Sequence, residues 1–214
     1  PTSSARAAKA WQNGHPPSYK SSSVELELII NPFWRQLLRA AQQKEGRSPQ
    51  ARWLQLATVA EDGTARVRTL VFRGWCGPAS LELLSDNRSS KINEIQKNPG
   101  IEICWLLPKA RCQFRLRGTR IVLDAGTNQK AREMHWEKLK PEARALWAWP
   151  PPGEKFDTTA SFPKEIADNC PIPNCFELIR IELSEVEMLQ LGENPHNRMR
   201  WRANQNWAEE KLNP

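Results

Sequence analysis

A chain of 214 residues and 24.5 kDa has the size of one domain with a short extension, and can bury about 70% of its unfolded surface. Hydrophobic residues at 39% and charged residues at 26% exclude a disordered chain and a coiled coil. The net charge of +7 favours an anionic partner, whether a phosphorylated small molecule, a nucleic acid or an acidic surface. The longest strongly apolar stretch, near Ile103 to Leu107, is far short of the roughly 20 residues that span a bilayer, so no membrane partner is expected. Cys76, Cys104, Cys112, Cys170 and Cys175 are odd in number and include no C-x-x-C pair. They predict free thiols in a reducing compartment rather than a disulfide framework or a zinc site.

Residues 1–24 hold no acid and are rich in Ser, Ala and Pro, with Arg6, Lys9, His15 and Lys20. They read either as the remnant of an organelle-targeting peptide or as a disordered terminus. The expected division is a flexible tail over 1–28 and one domain over 29–214. A helix follows, with Asn31 as cap, Pro32 in the first position, Phe33, Trp34, Leu37, Leu38 and Ala41 at helical spacing, and Gly46 as its end. Arg52 to Ala60 and Ala65 to Trp75 read as strands joined through the Asp62-Gly63 turn, and Ser80 to Ser85 as a third. Asn87 to Lys97 predicts a short helix stopped by Asn98-Pro99-Gly100. Ile101 to Leu107 and Arg111 to Leu123 then form a long hairpin, with Cys112, Phe114 and Leu116 alternating with Gln113, Arg115 and Arg117. Helices are expected over Asn128 to Leu139 and Pro141 to Trp147, and a loop over 153–174. Strands are expected over Phe176 to Leu183 and Val186 to Leu191, with one more from the tail between Met199 and Leu212. Strands joined by hairpins with helices inserted argue for an α+β, mainly β fold: an antiparallel barrel with peripheral helices.

The sequence lacks G-x-G-x-x-G, a Walker loop, G-x-S-x-G and H-E-x-x-H. Its three histidines are too scattered for a metal site, so no metal is expected. An enzyme of this composition would lean on an organic cofactor. Two segments carry the chemistry. Arg66 to Trp75 is a strand with repeated arginines, in which Arg68 and Arg73 face opposite ways unless a bulge intervenes. Leu84-Ser85-Asp86-Asn87-Arg88-Ser89-Ser90-Lys91 is a strand end running into a helix, with hydroxyls and cations at the helix start. It reads either as a phosphate cradle or as a plain cap with surface basic residues. Arg115, Arg117 and Arg120 read as a solvated strand face, and Trp147 and Trp149 as packing or dimer contacts.

Together these segments resemble the pyridoxamine 5'-phosphate oxidase family, whose fold is a flavin-binding split β-barrel. The resemblance runs over roughly 30–214. It rests on Arg68 to Arg73, on Leu84-Ser85 with Ser89-Ser90-Lys91, and on Asn98-Pro99, Gln113 with Gly118, Ala148-Trp149, Gln190 to Glu193 and His196-Asn197-Arg198. The blocks around Phe72 to Trp75 and Trp149 to Gly153 look closest to a plant and cyanobacterial branch. The resemblance implies FMN, held by Arg68, Val71, Phe72, Arg73, Ser85, Arg88, Ser89, Ser90, Lys91, Gln113 and Arg198. It implies a homodimer with shared flavin sites, Arg198 reaching across the interface. A substrate phosphate would meet Arg73, Trp136, Lys140 and Arg144, and His196 would be the catalytic residue. Departures from the pattern lie mainly on the substrate side, and one lies in the cradle, where Ser90 stands for one of the family's two basic residues and Arg88, two positions earlier, can substitute for it. Trp136 stands where the family has Tyr, Leu189 where it has a flavin-stacking Trp, Pro195 precedes His196 without the family's Arg, and Gly153-Glu154 replaces a Gln-Ser pair.

The implied activity is oxidation of pyridoxine or pyridoxamine 5'-phosphate to pyridoxal 5'-phosphate and hydrogen peroxide. The alternative is an FMN-binding split barrel with another substrate, a flavin reductase-like role or a non-catalytic carrier role. The implied compartment is cytoplasm or plastid. A nucleic-acid partner is not expected, because +7 and ten tryptophans come with no recognised nucleic-acid motif.

Overall fold

The computed structural model describes residues 31–167, 169–192 and 194–214. The expected tail over 1–28 lies outside them. Helix α1 (Phe33–Glu45) lays Trp34, Leu38 and Ala41 onto the core. Pro32, not Asn31, takes its cap position, its carbonyl accepting from Arg35 N at 3.0 Å. Strands β1 (Trp53–Val59), β2 (Ala65–Trp75), β3 (Ser80–Asp86), β4 (Gly100–Leu107), β5 (Cys112–Ile121) and β6 (Phe176–Gln190) form one antiparallel sheet in the order β3-β2-β1-β4-β5-β6. A β3–β6 pairing closes these six strands into a barrel. Strands β7 (Asn197–Arg202) and β8 (Glu209–Leu212) extend the sheet from β6. The tail therefore supplies two strands where one was expected. The peripheral helices are α2 (Ser90–Lys97), α3 (Ala125–Glu137) and the single turn α4 (Pro141–Arg144), which runs into a 3-10 turn over Ala145–Ala148.

Alternation builds the barrel interior. Leu54, Leu56 and Thr58 on β1 are buried, as are Ile101, Ile103, Trp105 and Leu107 on β4 and Cys112, Phe114 and Leu116 on β5. Much of the tryptophan excess is spent here. Trp34 meets Trp75 and Trp207, each with ring centroids 5.6 Å away, and Phe72 meets Trp75 at 5.3 Å and Trp105 at 5.1 Å. A second apolar cluster lies outside the barrel, where Trp136 and Trp147 close edge-on over Phe176.

Helix α3 starts three residues before its expected Asn128, because Asp124 accepts from Thr127 N at 2.9 Å and caps it. The expected break between Leu183 and Val186 is absent: β6 runs through. A register shift opposite Arg117 and Gly118 absorbs Ser184 as a bulge, so the strand bends without turning back. Gly118 permits this, since a Cβ there would stand 2.2 Å from the Glu182 carbonyl oxygen. The Gly118→Val variant is expected to lose about 2–3 kcal/mol, since backbone must shift to admit the side chain. In thermal denaturation this reads as a fall of roughly 5–10 °C in Tm.

Candidate flavin site

The β3–β6 register sets Ser85 opposite Glu177 and Asp86 opposite Phe176, and the chain then turns into α2. Ser89 stands at the cap position, with its Oγ donating to the Asp86 carbonyl at 2.7 Å. Ile92 and Ile95 bury one face of α2, which fixes the direction of its first turn. Lys91, half-buried, donates from Nζ to Ser89 Oγ at 2.7 Å and Ser85 Oγ at 3.0 Å. Burial, and then the nearby Arg68 charge, push the Lys91 ammonium below its usual range. Among the described residues Lys91 has no ion pair. Two hydroxyls, an ammonium and free N–H groups at a helix start are the donor set that a phosphate takes. Ser90 is exposed at the first position of the helix.

Two arginines flank this cradle, and each carries a carboxylate. Arg68 Nη2 pairs with Glu94 Oε2 at 2.6 Å, and its Nη1 donates to Thr58 Oγ1, which in turn donates to the same Glu94 oxygen. Burial pushes the Glu94 carboxyl up, but the Thr58 and Arg68 hydrogen bonds outweigh it and hold the group below its usual range. Arg88 pairs with Asp86, Nη2 to Oδ2 at 2.6 Å, and donates to the Trp149 carbonyl at 3.0 Å.

Gln113 and Arg198 lie elsewhere. With Arg115, Glu187 and Leu189 they line a shallow cavity of about 140 Å³ on the outer face of β5, β6 and β7. One carboxylate oxygen organises it: Glu187 Oε2 accepts from Arg198 Nη2 at 2.7 Å, from Arg198 Nε at 3.1 Å and from Arg115 Nη2. Burial raises the Glu187 pKa, but the Arg198 and Arg115 hydrogen bonds prevail and lower it. Gln113 sits opposite Leu189 in the register. Twelve residues of β6 separate Leu189 from Glu177, opposite the cradle, which is about 40 Å of strand. Within one chain the cradle and the cavity therefore stand toward opposite ends of β6.

The remaining expected residues scatter. A bulge falls at Arg73, between Phe72 and Gly74 in the β2–β3 register. Its Nε is buried without a hydrogen-bond partner, and burial, then Arg52, lower its pKa. Phe72 turns its ring into the aromatic chain beside Trp75 and Trp105, and its N–H donates to the Arg52 carbonyl at 2.8 Å. Val71 is half-buried. Trp136 and Arg144, each 4% exposed, are packed in and beside the second apolar cluster. Arg144 Nε donates to the Trp136 carbonyl at 3.1 Å and its guanidinium lies 5.6 Å from the Trp136 ring centroid. Lys140 is exposed, and exposed His196 immediately precedes β7. Arg115, Arg117 and Arg120 are each paired, with Glu187, Glu102 and Glu185, and Glu177 respectively. Arg115 thus belongs to the cavity beside Gln113, two residues away on the same strand face.

The closed six-stranded barrel, the helix-start cradle and the cavity define a flavin-binding split barrel. The family model for the pyridoxamine 5'-phosphate oxidase FMN-binding domain matches residues 31–124. A pyridoxamine 5'-phosphate oxidase-related, FMN binding protein of Nostoc punctiforme superposes with a TM-score of 0.77 at 34% identity, over 85% of this chain and 98% of that one. Pyridoxine/pyridoxamine 5'-phosphate oxidase 2 of Arabidopsis thaliana is 29% identical over 192 residues, 85% of this chain and 96% of that protein. PhzG of Burkholderia lata, in complex with tetrahydrophenazine-1-carboxylic acid, shares the fold with a TM-score of 0.60 at 19% identity, over 94% of this chain and 98% of that one. The chain belongs to the pyridoxamine 5'-phosphate oxidase family of FMN-binding proteins, and FMN is its cofactor.

Glu94 and Glu187 are both held ionised by arginines, and so is Glu82, where burial raises the pKa but hydrogen bonds from His135 and Arg180 lower it further. A carboxyl whose folded pKa is depressed stabilises the fold above its unfolded pKa and loses that stabilisation as pH falls through the folded value. Stability to urea is therefore expected to decline as the pH drops below the ordinary glutamate value of 4.5. The Glu187→Gln variant should show a shallower decline over that window.

Proposed function

We propose that this protein is a homodimeric FMN-dependent oxidase of a small phosphorylated aromatic substrate, with pyridoxine or pyridoxamine 5'-phosphate as the leading candidates. The observation that carries this reading is Lys91, a half-buried ammonium held by two serine hydroxyls at a helix start and bearing no ion pair among the described residues. An FMN phosphate brings about two negative charges to such a place. In this reading Lys91, Ser85, Ser89 and the first N–H groups of α2 hold the phosphate, with Ser90, Arg68 and Arg88 beside them. The backbone of Val71 and Phe72 backs the ring, and Arg73 faces both ring and substrate. Bound FMN supplies the hydride acceptor and its reoxidation by oxygen, and the chain's part is to orient the substrate and exclude water.

The second half of the site comes from a partner subunit. Trp53, Val67 and Leu106 are 47%, 66% and 50% exposed on the outer faces of β1, β2 and β4, an apolar surface that a second copy would cover. Leu106 lies opposite Gln113, so this surface is continuous with the cavity of Gln113, Arg115 and Arg198. Pairing there would bring one protomer's cavity to the other's cradle, the two standing toward opposite ends of β6 in a single chain. His196, beside β7, would reach the substrate from the same side.

A different substrate is the second reading, and the burial of Trp136 and Arg144 favours it. Two of the four positions expected to meet a substrate phosphate are occupied in packing, which leaves Lys140 and Arg73 to bind an anion.

The deciding experiment is the visible spectrum of the FMN-loaded protein, before and after anaerobic addition of pyridoxine 5'-phosphate or pyridoxamine 5'-phosphate. Bleaching by either supports the oxidase reading. Persistence of the flavin bands with both eliminates vitamin B6 phosphates as substrates. Lys91→Met is expected to raise the FMN Kd more than tenfold by flavin fluorescence titration, with Arg117→Ala unchanged. Val67→Glu should give a monomer in light scattering that binds FMN weakly; a Val67→Glu monomer with full FMN affinity would exclude the shared site.

A further inference from the structure

The cradle holds three cations, but two of them are already neutralised. Arg68 is closed by Glu94, 2.6 Å away and tied to it a second time through Thr58. Arg88 is closed by Asp86, which accepts from its Nε at 2.9 Å and its Nη2 at 2.6 Å. Asp86 also lies between the two hydroxyl-bearing residues of the cradle, its carbonyl accepting from Ser89. Glu94 is buried on α2, one helical turn past Ser90, on the helix that carries Lys91. We propose that Glu94 and Asp86 are affinity-limiting carboxylates of the FMN phosphate site: they neutralise its arginines and leave Lys91 to meet the phosphate alone.

This rests on the cradle being the phosphate site, as proposed above. Lys91, Arg68 and Arg88 sum to three positive charges, and Glu94 and Asp86 remove two. A phosphate dianion then faces a net single positive charge, with two carboxylates in the same neighbourhood. Through a partly buried medium, a unit charge a few ångströms away changes a charged ligand's affinity by about tenfold or more. Ile92 and Ile95 anchor the helix, and the amide variants of both acids keep the oxygens that accept from the Arg88 N–H at Asp86 and from Thr58 and Arg68 at Glu94. The consequence is a flavin that exchanges more readily than the number of basic side chains suggests. The two acids set the charge of the site and have no part in hydride chemistry.

The test is FMN binding to the full-length dimer, followed by quenching of flavin fluorescence, with riboflavin as the phosphate-free probe. Glu94→Gln keeps an oxygen for Thr58 and Arg68 and removes the charge; it is expected to bind FMN about tenfold tighter and riboflavin with unchanged affinity. Asp86→Asn keeps an acceptor for the Arg88 N–H and should tighten FMN severalfold; should Glu94→Gln fail to fold, Asp86→Asn decides by the same readout. Unchanged or weaker FMN binding in the folded variants overturns the proposal, since the acids would then be orienting the arginines for the phosphate. Equal gains for riboflavin and FMN overturn it too, because the effect would not lie at the phosphate. Lys91→Met separates the two levels. If it binds FMN as tightly as the parent, the cradle is not the phosphate site and both readings fall. If it binds weakly while the acid variants bring no gain, only the charge-setting role falls.

Discussion

Closure of the sheet between β3 and β6 is the constraint on which the rest of this protein hangs. Seven residue pairs, from Ser80 with Glu182 to Asp86 with Phe176, join a strand near the start of the domain to one close to its end. Without this seam the six strands would be an open sheet with two edges, and the interior rows on β1, β4 and β5 would lose their far wall. A buried charge group lies across the seam. Arg180 holds Glu82 Oε1 at 2.5 Å from the facing strand, and His135 approaches Glu82 Oε2 at 2.7 Å from α3. Breaking such a group by removing one partner leaves a buried charge uncompensated, which costs far more than the intact group contributes. It therefore pins α3, and with it the second apolar cluster, to one register of the seam. The cradle inherits its position from the same pairing, since Ser85 and Asp86 are the last seam residues before α2.

The bulge at Gly118 is the counterpart of that seam. Strand β6 pairs with β3 over Phe176 to Glu182, with β5 on both sides of the bulge from Arg180 to Gln190, and with β7 beyond it, where Glu187 gathers Arg115 and Arg198. One long strand thus carries both the seam beside the cradle and the carboxylate that organises the cavity.

Charge is handled locally throughout. The net +7 is not a basic patch, because arginines on β5, β6 and β7 interleave with glutamates: Glu102 with Arg117, Glu185 with Arg117 and Arg202, Glu187 with Arg115 and Arg198, and Glu210 with Arg200 and Arg202. Against that background a cation without a carboxylate stands out. Among the described residues Lys91 is such a cation, and the Arg73 Nε is a buried donor without an acceptor. Both lie on segments that the resemblance assigns to flavin and substrate. Arg144 instead packs on Trp136, donating to its carbonyl and lying by its ring.

Local pattern was enough for most of the architecture. Alternation marked the interior of β5, Gly46 marked the end of α1, and the strand end running into a helix at Leu84 to Lys91 marked the cradle. These signals are legible because they depend on neighbours within a few residues. Tertiary structure alone decided the rest. Ser184-Glu185 read as a break, yet the strand continues, because the bulge is stabilised by a partner 66 residues away at Gly118. Arg115 read as surface, yet it shares a carboxylate with Arg198, whose strand lies beyond β6. Thr58 and Glu94 gave no sign of their role, since the guanidinium they hold reaches them from β2. Side-chain chemistry and local period are properties of the sequence. Which charges cancel, which aromatic rings are buried and which half-sites can face one ligand depend on long-range register, and only the closed barrel sets that.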